Sequence, residues 1–465
     1  MADWTTIQIG TKMFENVAET VLTRAQAAIE NAFVNEAEGQ SRFPGLAPFA
    51  DLGGNAPVYL DDWQGDLVAV MAGRLYRIDA NKQIEDVTGV PVSGGLRPVF
   101  DKTPDELLIA AGGPIVRFAG QRTEILSEDA PLASHVGYIG GYVVAAERDS
   151  GYFYHSQAQE PRLWDALDIF AATGKPDNIN SLLVTKYEEL LVSGVDSIEQ
   201  YERLQTGGIP FFRRWSVGSG VHAPYTMVEA DNAAWAVNSY YEFVRFSGQI
   251  SESASGDIQK PLEKIDDWTE AWAERLDVLG QRFIVLQMPR ASNIYGTKGV
   301  TLLYEYRRKR WHALYGWDAT AFLPGRWPGW SIRSMWGRVF VGCNGKICEL
   351  TDRTYSNDGA LQRMLGRTAH LTGTGQFRVD NVRALLARGT GQGNQAAQIA
   401  FRCRKDNGRW TPFVTRPLGV AGDSAMTVQF GGFGWADSFQ FEWEITGDAP
   451  VEFRQLQWQT TEGRR

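Results

Sequence analysis

The chain has 465 residues, of which 43% are hydrophobic and 22% are charged, and this composition excludes an intrinsically disordered protein. Aromatic residues make up 12% of the chain and 49 residues are glycine, which together favour an all-β fold with sharp turns. The net charge of −9 argues against a protein that holds DNA nonspecifically through a basic face, but it does not exclude one that DNA passes.

The first twelve residues lack the apolar segment of a signal peptide, and no run approaches the ~18 apolar residues of a membrane span. The three cysteines, Cys343, Cys348 and Cys403, have a spacing that fits neither a zinc site nor a disulfide framework. We therefore expect buried thiols in a protein that is made in the cytoplasm and does not span a membrane.

Residues 12–33 carry apolar side chains at steps of four, a spacing that places one apolar stripe on a helix. The stripe consists of Met13, Val17, Val21, Ala25, Ile29 and Phe33. This pattern predicts a short N-terminal helix within an arm of residues 1–40. The helix could pack on its own domain or dock on a neighbouring subunit.

A unit of apolar run, tight turn and apolar run recurs along the chain, as in "LVAVMAGRLYRID" (67–79) and "VFVGCNGKICEL" (339–350). Spacings of 35 to 56 residues separate the first strands of the units and are typical of propellers. The first strands begin near Leu67, Leu107, Tyr142, Leu190, Ala234, Phe283 and Val339. We predict an all-β protein with a β-propeller of seven blades over 41–355, or six if one hairpin is an insertion. A pair of β-sandwiches is the alternative.

In a closed propeller an early strand often completes the last blade. The segment "SRFPGL" (41–46), around Phe43, is the candidate for this strand. After about residue 352 the period is lost, and at least five extended segments follow. One of them, "FQFEWEI", alternates apolar and polar residues like a half-solvated strand. We predict a C-terminal β-sandwich over 356–465.

The sequence contains no G-x-S-x-G, H-E-x-x-H, phosphate-loop or EF-hand motif, and its five histidines do not have metal-ligand spacing. Two pairs of adjacent acids, Asp61–Asp62 and Asp266–Asp267, could serve glycoside hydrolysis in principle. Adjacent residues on a strand point to opposite faces, so neither pair forms a ready acid–base couple. We expect no catalytic, cofactor-binding or metal-binding residues and no enzyme activity.

Two segments are candidates for partner contacts. The first is the basic run Arg307, Arg308, Lys309 and Arg310, which is either a solvated hairpin tip or a contact for an anion or an acidic partner. The second is "DDWTEAWAERLDVLG" (266–280), whose apolar spacing predicts a short helix. Its residues Trp268 and Trp272 either pack in the core or contact a partner.

The order of these parts resembles the packaged-DNA stabilisation proteins of short-tailed bacteriophages, the tail hub or nozzle family. "SRFPGL" is similar to an early Phe-Pro-Gly turn of the family, and "VMAGRLYRID" to its first hairpin. The closest stretch is "KYEELLVSGVDSIEQYERLQTGGIPFFRRWSVGSGVHAPYT" (186–226), and "LLYEYRRKRWHALYGW" (302–317) resembles a later hairpin. The resemblance spans about residues 40–460.

The resemblance implies a structural virion protein of the phage tail, made in the host cytoplasm. It implies a homo-oligomeric ring, a hexamer, below the portal and the head-to-tail adaptor. Such a ring would extend the channel for passing double-stranded DNA, help retain the packaged genome until ejection and anchor a tail fibre or tailspike, with no cofactor. The rival hypotheses are a carbohydrate-binding or carbohydrate-cleaving propeller and a cellular scaffold propeller.

Overall fold

The fold is that of a computed structural model, which describes residues 4–7, 29–35, 39–172, 175–204, 210–388, 397–419 and 425–462. The chain divides into two compact units. Unit 1 comprises the described residues of Met1–Pro48, Ala291–Pro328 and Glu349–Arg465, and unit 2 those of Phe49–Arg290 and Gly329–Cys348. Residues 291–328 therefore group with both ends of the chain, whereas the predicted boundaries 1–40, 41–355 and 356–465 are sequential.

Unit 2 is built from antiparallel four-stranded sheets that follow one another along the chain. Sheet 1 contains Val58–Trp63, Asp66–Met71, Arg74–Ile78 and Ile84–Asp86, and sheet 2 contains Val99–Lys102, Leu107–Ala110, Val116–Phe118 and Thr123–Ile125. Sheet 3 contains Ala133–Ile139, Tyr142–Glu147, Tyr152–Gln157 and Glu160–Ala171. Sheet 4 contains Ser181–Val184, Glu189–Ser193, Ile198–Arg203 and Phe211–Val217, and sheet 5 contains Val228–Ala230, Ala233–Val237, Phe243–Ser247 and Ile250–Ser253.

Two further groups of strands complete the series. A strand pair follows sheet 5 and consists of Trp272–Val278 and Gln281–Ser292. The closing sheet consists of Ser331–Met335, Arg338–Gly342, Lys346–Thr351 and the early strand Gly45–Asp51. These sheets confirm the prediction of an all-β protein built from short, repeated antiparallel sheets.

The predicted hairpins correspond to one position in this architecture. Each apolar run identified in the sequence is the second strand of its sheet or of the strand pair. In sheet 1 the turn after this strand has positive φ at Ala72 (49°) and Gly73 (80°). Two such residues are typical of the type I′ turn, whose twist matches that of the flanking strands.

The second strands are apolar along their whole length because both of their faces are covered. In sheet 1, Leu67 and Ala69 belong to a core shared with the closing sheet, whereas Val68 and Val70 belong to a core shared with sheet 2. Alternate residues of a strand point to opposite faces, so the sheet is packed between two neighbours. Sheets 2 and 3, 3 and 4, and 4 and 5 share further cores in the same way.

The early strand that joins the closing sheet begins at Gly45, inside the predicted segment 41–46, and continues past it to Asp51. Phe43 is buried just before Gly45–Asp51, and this following strand forms the edge of the closing sheet. Within unit 2, Leu52 N donates a hydrogen bond to Gly345 O at 2.9 Å, and the rings of Phe49 and Phe340 have centroids 4.7 Å apart. The two distant segments of the chain are therefore joined by a continuous sheet.

Unit 1 is also composed of β-strands. Its strands are Thr5–Ile7, Ile29–Glu30, Ala32–Val34, Gln40–Arg42, Lys298–Glu305, Arg310–Leu314, Gly316–Asp318, Leu323–Gly325, Met364–Arg367, Leu371–Arg388, Gln398–Lys405, Val414–Pro417, Met426–Thr446 and Val451–Glu462. The long strand Leu371–Arg388 pairs antiparallel with Met426–Thr446 on one side and with Val451–Glu462 on the other. One apolar core, which includes Phe401, Phe441 and Trp443, joins these strands.

The segment "FQFEWEI" is not half-solvated, contrary to the prediction. Its apolar residues Phe439, Phe441 and Trp443 face the core, but the alternating residues Gln440 and Glu442 are also only 4% and 0% exposed. The polar face is covered because Arg367 and Arg402 pair with Glu442. A polar residue in such a pattern therefore need not face solvent when an opposite charge lies beside it.

The predicted N-terminal helix lies mostly outside the described residues, which resume at Ile29. The part that is described forms the strands Ile29–Glu30 and Ala32–Val34, so the helical prediction is wrong for residues 29–33. Asn31 separates the two strands in a left-handed conformation (φ 52°) and is held there by its side chain. Its Nδ2 donates to Arg363 O, and its Oδ1 accepts from Tyr315 N, both at 2.8 Å.

The helix predicted over 266–280 is also wrong. Trp272–Val278 is a strand that pairs antiparallel with Gln281–Ser292. The helical residues nearby lie earlier in the chain, as a 3₁₀ turn at Gly256–Ile258 and a short α-helix at Gln259–Glu263. The three cysteines are free and buried, which confirms the expectation of buried thiols. Among the described residues, no helix has the length and apolarity needed to cross a membrane.

Candidate functional site

A cavity of about 540 Å³ lies in unit 2 where the sheets meet. Its lining residues come from the first strand of each of sheets 1–5 and from the first strand of the strand pair. The strand Ser331–Met335 of the closing sheet contributes as well. The lining includes Leu60, Asp61, Arg97, Val99, Phe100, His135, Leu182, Tyr225, Val228, Glu274, Ile332 and Arg333. The first strands therefore converge on one space, as the inner strands of propeller blades do.

Arg97 connects two parts of this wall. Its Nη2 donates to Oε1 of Glu274 at 2.6 Å, and its guanidinium carbon lies 4.9 Å from the ring centroid of Tyr59 and 5.0 Å from that of Trp272. Burial raises the pKa of Glu274, although Arg97 and the backbone N–H of Ile332 counteract this by stabilising the carboxylate. The pair links the segment before sheet 2 to the strand pair.

A second cluster links sheet 1 to both of its neighbours. Arg333 of the closing sheet contacts Asp61 at 2.8 Å and donates through Nε to Asp62 at 2.6 Å. Lys102 of sheet 2 lies 3.1 Å from Asp61 and 2.9 Å from Asp62. Burial raises the pKa of Asp61, whereas for Asp62 hydrogen bonds and charges of Lys102 and Arg333 outweigh burial and lower the pKa.

Asp61 and Asp62 thus contact the same two cations, although adjacent strand residues were expected to face apart. The structure brings the two carboxylates together through Lys102 and Arg333, which lie on different sheets. No local pattern in the sequence predicts that Lys102 and Arg333 pair with these acids, because the ion pairs depend on the order of the sheets around the cavity. Both carboxylates are held in ion pairs, an arrangement that joins sheets rather than one that leaves a free acid and base.

Two further titratable groups lie in or beside the wall. Asp101 of sheet 2 accepts a hydrogen bond from the backbone N–H of Tyr138 in sheet 3 at 2.7 Å, and burial raises the pKa of Asp101 to about 6. His135 is 3% exposed and stacks on Tyr225 with ring centroids 5.5 Å apart. Burial lowers the pKa of His135 to about 4, so the ring is neutral at pH 7.

These contacts join the closing sheet to sheet 1, sheet 1 to sheet 2 and sheet 2 to sheet 3, and Arg97 joins the segment before sheet 2 to the strand pair. No group of three or more His, Cys, Asp or Glu side chains suited to a metal ion occurs in the described part of the chain. The charged side chains Asp61, Arg97, Glu274 and Arg333 of the wall are fixed in ion pairs between sheets. Such a wall holds the inner ends of the sheets at defined positions.

The predicted basic run lies in unit 1, in the turn between Lys298–Glu305 and Arg310–Leu314. Arg307 and Lys309 are exposed, as expected of a hairpin tip. Arg308 instead turns inward and donates to Glu305 at 2.8 Å and to Val34 O at 3.0 Å. Arg310 is half-buried at the start of its strand. The structure therefore does not present the four side chains as one exposed cluster, and their role as a partner contact stays a prediction.

The two predicted tryptophans occupy different environments in unit 2. Trp272 is fully buried, its Nε1 donates to Gln287 at 3.0 Å, and it packs against Arg97, so it is a core residue and not a partner contact. Trp268 is half-buried and packs edge-on against His222, with ring centroids 5.3 Å apart. A role of Trp268 in partner contact stays a prediction.

A family model described as "Bacteriophage P22 Gp10, beta-propeller" matches residues 27–355 of the chain. No curated protein matches the chain in sequence.

Several solved structures are similar at low identity. The computationally designed Ika8 protein is 12% identical with a TM-score of 0.37, and the match covers 65% of this chain and 98% of that one. The extracellular domain of the putative one-component system BT4673 from B. thetaiotaomicron is 9% identical with a TM-score of 0.42, over 90% of this chain and 60% of that one. Virginiamycin B lyase from Staphylococcus aureus is 10% identical with a TM-score of 0.37, and the match covers 64% of this chain and 95% of that one.

Proposed function

The chain belongs to the bacteriophage P22 Gp10 family of β-propeller stabilisation proteins, and from this premise we propose that it is a structural protein of the phage tail. Copies of the chain form a ring, a hexamer, below the portal and its adaptor. The ring extends the channel through which double-stranded DNA passes and helps to retain the packaged genome. Its outer surface anchors a tail fibre or tailspike.

The observation that carries this proposal is the family match over residues 27–355, together with the alternate packing of the second strands. We propose that sheets 1–5, the closing sheet and the sheet containing the strand pair are seven blades of one propeller. The strands after residue 356 form a β-sandwich in this proposal. A disc of mutually covered sheets suits a mechanical role because each sheet is supported on both faces.

Charge supports the DNA part of the proposal. Each copy carries a net charge of −9, and the chain therefore adds negative charge to any ring that it forms. Like charges repel, so a channel lined by acidic copies would let DNA slide rather than adhere.

The test is a phage in which the gene for this chain carries an amber mutation. In a non-suppressing host, we expect heads that package DNA and then lose it, and complementation with the wild-type chain should restore infectious particles. Retention of DNA in mutant particles at the wild-type level would contradict the role in genome retention. Mass spectrometry of purified virions should detect the chain, and its absence from infectious particles would contradict the structural role.

A further inference from the structure

Three arginines of unit 1 surround one indole ring. Arg402 lies on the strand Gln398–Lys405, as does Arg404, and Arg367 ends the strand Met364–Arg367. Their guanidinium carbons lie 4.9, 5.2 and 5.4 Å, respectively, from the ring centroid of Trp410. All three distances are within the range of cation–π contacts. Such a concentration of positive charge on one aromatic side chain requires anions nearby.

Trp410 is held over the strand by its own loop. The backbone N–H of Thr411 donates to Cys403 O at 2.8 Å, and the N–H of Cys403 donates to Thr411 Oγ1 at 3.1 Å. These reciprocal bonds fold the loop back along Gln398–Lys405. The indole is therefore a fixed support on which the guanidinium groups are arranged before any ligand binds.

The anion present in the cluster is shared by two of the arginines. Glu442 is fully buried, and it accepts from Arg367 Nε at 2.9 Å through one oxygen and from Arg402 Nε at 2.7 Å through the other. These pairs outweigh burial and hold the pKa of Glu442 below its usual range. The carboxylate is thus ionised, and its two oxygens are occupied by Arg367 and Arg402.

Arg404 has no carboxylate partner within ion-pair distance in the described part of the chain. Its Nε donates to Gln440 Oε1 at 2.7 Å, and its Nη2 lies 3.0 Å from Nε2 of the exposed His370. Its Nη1 contacts no hydrogen-bond acceptor among the described residues. Burial and the nearby charge of Arg367 lower the pKa of Arg404, and the charge of Glu442 opposes this shift.

We propose that the outer edge of Arg404, positioned by Trp410 and flanked by His370, binds an oxyanion of the phosphate class. A guanidinium group presents N–H donors in a planar fork that matches the oxygens of a phosphate. An anion here would accept from the free Nη1 and would offset the repulsion between Arg404 and Arg367. Arginine clusters of this kind recognise phosphate groups in other proteins.

This inference does not depend on the proposed function. The residues of the site lie between 367 and 442, entirely outside the matched residues 27–355. Two sources could supply the same chemistry, namely free phosphate and the phosphodiester backbone of nucleic acid. The experiment therefore tests both.

The test measures binding of inorganic phosphate to the full chain by isothermal titration calorimetry in chloride buffer. The variant Arg404→Gln should weaken binding about tenfold or more, because it removes the charge and the fork while keeping a polar side chain. The affinity of Arg404→Lys for phosphate should lie between those of the wild type and Arg404→Gln, because lysine keeps the charge but not the planar fork of donors. The matched control is Arg282→Gln, which removes an exposed arginine of unit 2 near the start of the strand Gln281–Ser292 and should leave phosphate binding unchanged.

A second arm measures binding of a short DNA duplex by fluorescence anisotropy for the same proteins. If Arg404→Gln weakens DNA binding and Arg282→Gln does not, the nucleic-acid backbone is a source of the bound phosphate group. If the chain binds inorganic phosphate but not DNA, the free ion is the source. The proposal is overturned if neither probe binds the wild-type chain, or if Arg404→Gln and Arg282→Gln behave alike. Thermal unfolding of each variant in chloride checks that the fold is intact, and Arg404→Lys preserves the test if Arg404→Gln does not fold.

Discussion

Truncating Phe49 tests whether the early strand closes the series of sheets. Phe49 lies in Gly45–Asp51, is 5% exposed and packs against Phe340 with ring centroids 4.7 Å apart. The guanidinium carbon of Arg338 also lies 5.0 Å from the ring centroid of Phe49. Truncation of a buried phenylalanine to alanine costs about 3–5 kcal/mol, because it removes apolar contacts and leaves a cavity. We expect Phe49→Ala to lower the free energy of unfolding by this amount.

The assay is equilibrium unfolding in urea, followed by fluorescence and by hydrogen exchange. Exchange should increase first in Lys346–Thr351, because this strand is the sequence-distant partner of the early strand. Phe322→Ala is the matched control, since Phe322 is 75% exposed and its loss should change stability by no more than about 0.5 kcal/mol. A loss below about 1 kcal/mol for Phe49→Ala, or exchange unchanged in Lys346–Thr351, would refute closure by this strand.

Two further predictions concern buried polar groups. Arg42 is 2% exposed and donates hydrogen bonds to the carbonyl oxygens of Tyr355, Gln362, Gly447 and Ala449. Arg42→Met should lower the free energy of unfolding in urea by about 3 kcal/mol or more, since each buried acceptor left without a donor costs about 1–3 kcal/mol. An unchanged urea midpoint would show that water replaces the guanidinium. Burial lowers the pKa of His135 to about 4, below its value of 6.5 in the unfolded chain, so the stability that it contributes is complete above pH 6.5 and is lost as pH falls towards 4. His135→Phe should therefore reduce the difference in unfolding free energy between pH 7 and pH 4 by about 3 kcal/mol, and an equal pH dependence in both proteins would contradict the neutral, buried ring.

The repeated sheets were predictable because their second strands carry a local signal. A strand that is buried on both faces is a continuous apolar run, and the turns that end it are short and rich in glycine. Both features lie within about a dozen residues, as in "LVAVMAGRLYRID". The family resemblance rested on the same segments, and the matched residues 27–355 confirm it.

The helical predictions failed because a spacing of four fits two structures. Trp272 and Leu276 share a face of a helix, but they also share a face of a strand, where residues alternate with a period of two. Pairing with Gln281–Ser292 buries both residues as a strand. Likewise Ile29 and Phe33 are buried in two short strands on either side of Asn31.

The ion pairs of the cavity and the arginine cluster could not be read from the sequence. Arg333 contacts Asp62 from a sheet strand 271 residues away in the sequence, and Arg367 contacts Glu442 across paired strands. These contacts follow from the order and register of strands, and the sequence carries no local pattern for either. The environment of Glu442 was also not predictable. The alternation of apolar and polar residues in "FQFEWEI" predicted that Glu442 faces solvent, whereas the fold places Arg367 and Arg402 beside it.

Cryo-electron microscopy of purified virions is the measurement that tests the proposed function most directly. We expect density for a ring of six copies of this chain below the portal and adaptor, with the strands of sheets 1–5 resolved as consecutive blades around the cavity. DNA should run along the axis of the ring. Intact, infectious particles whose tail contains no density for this chain, or copies of it outside the tail, would contradict the assignment.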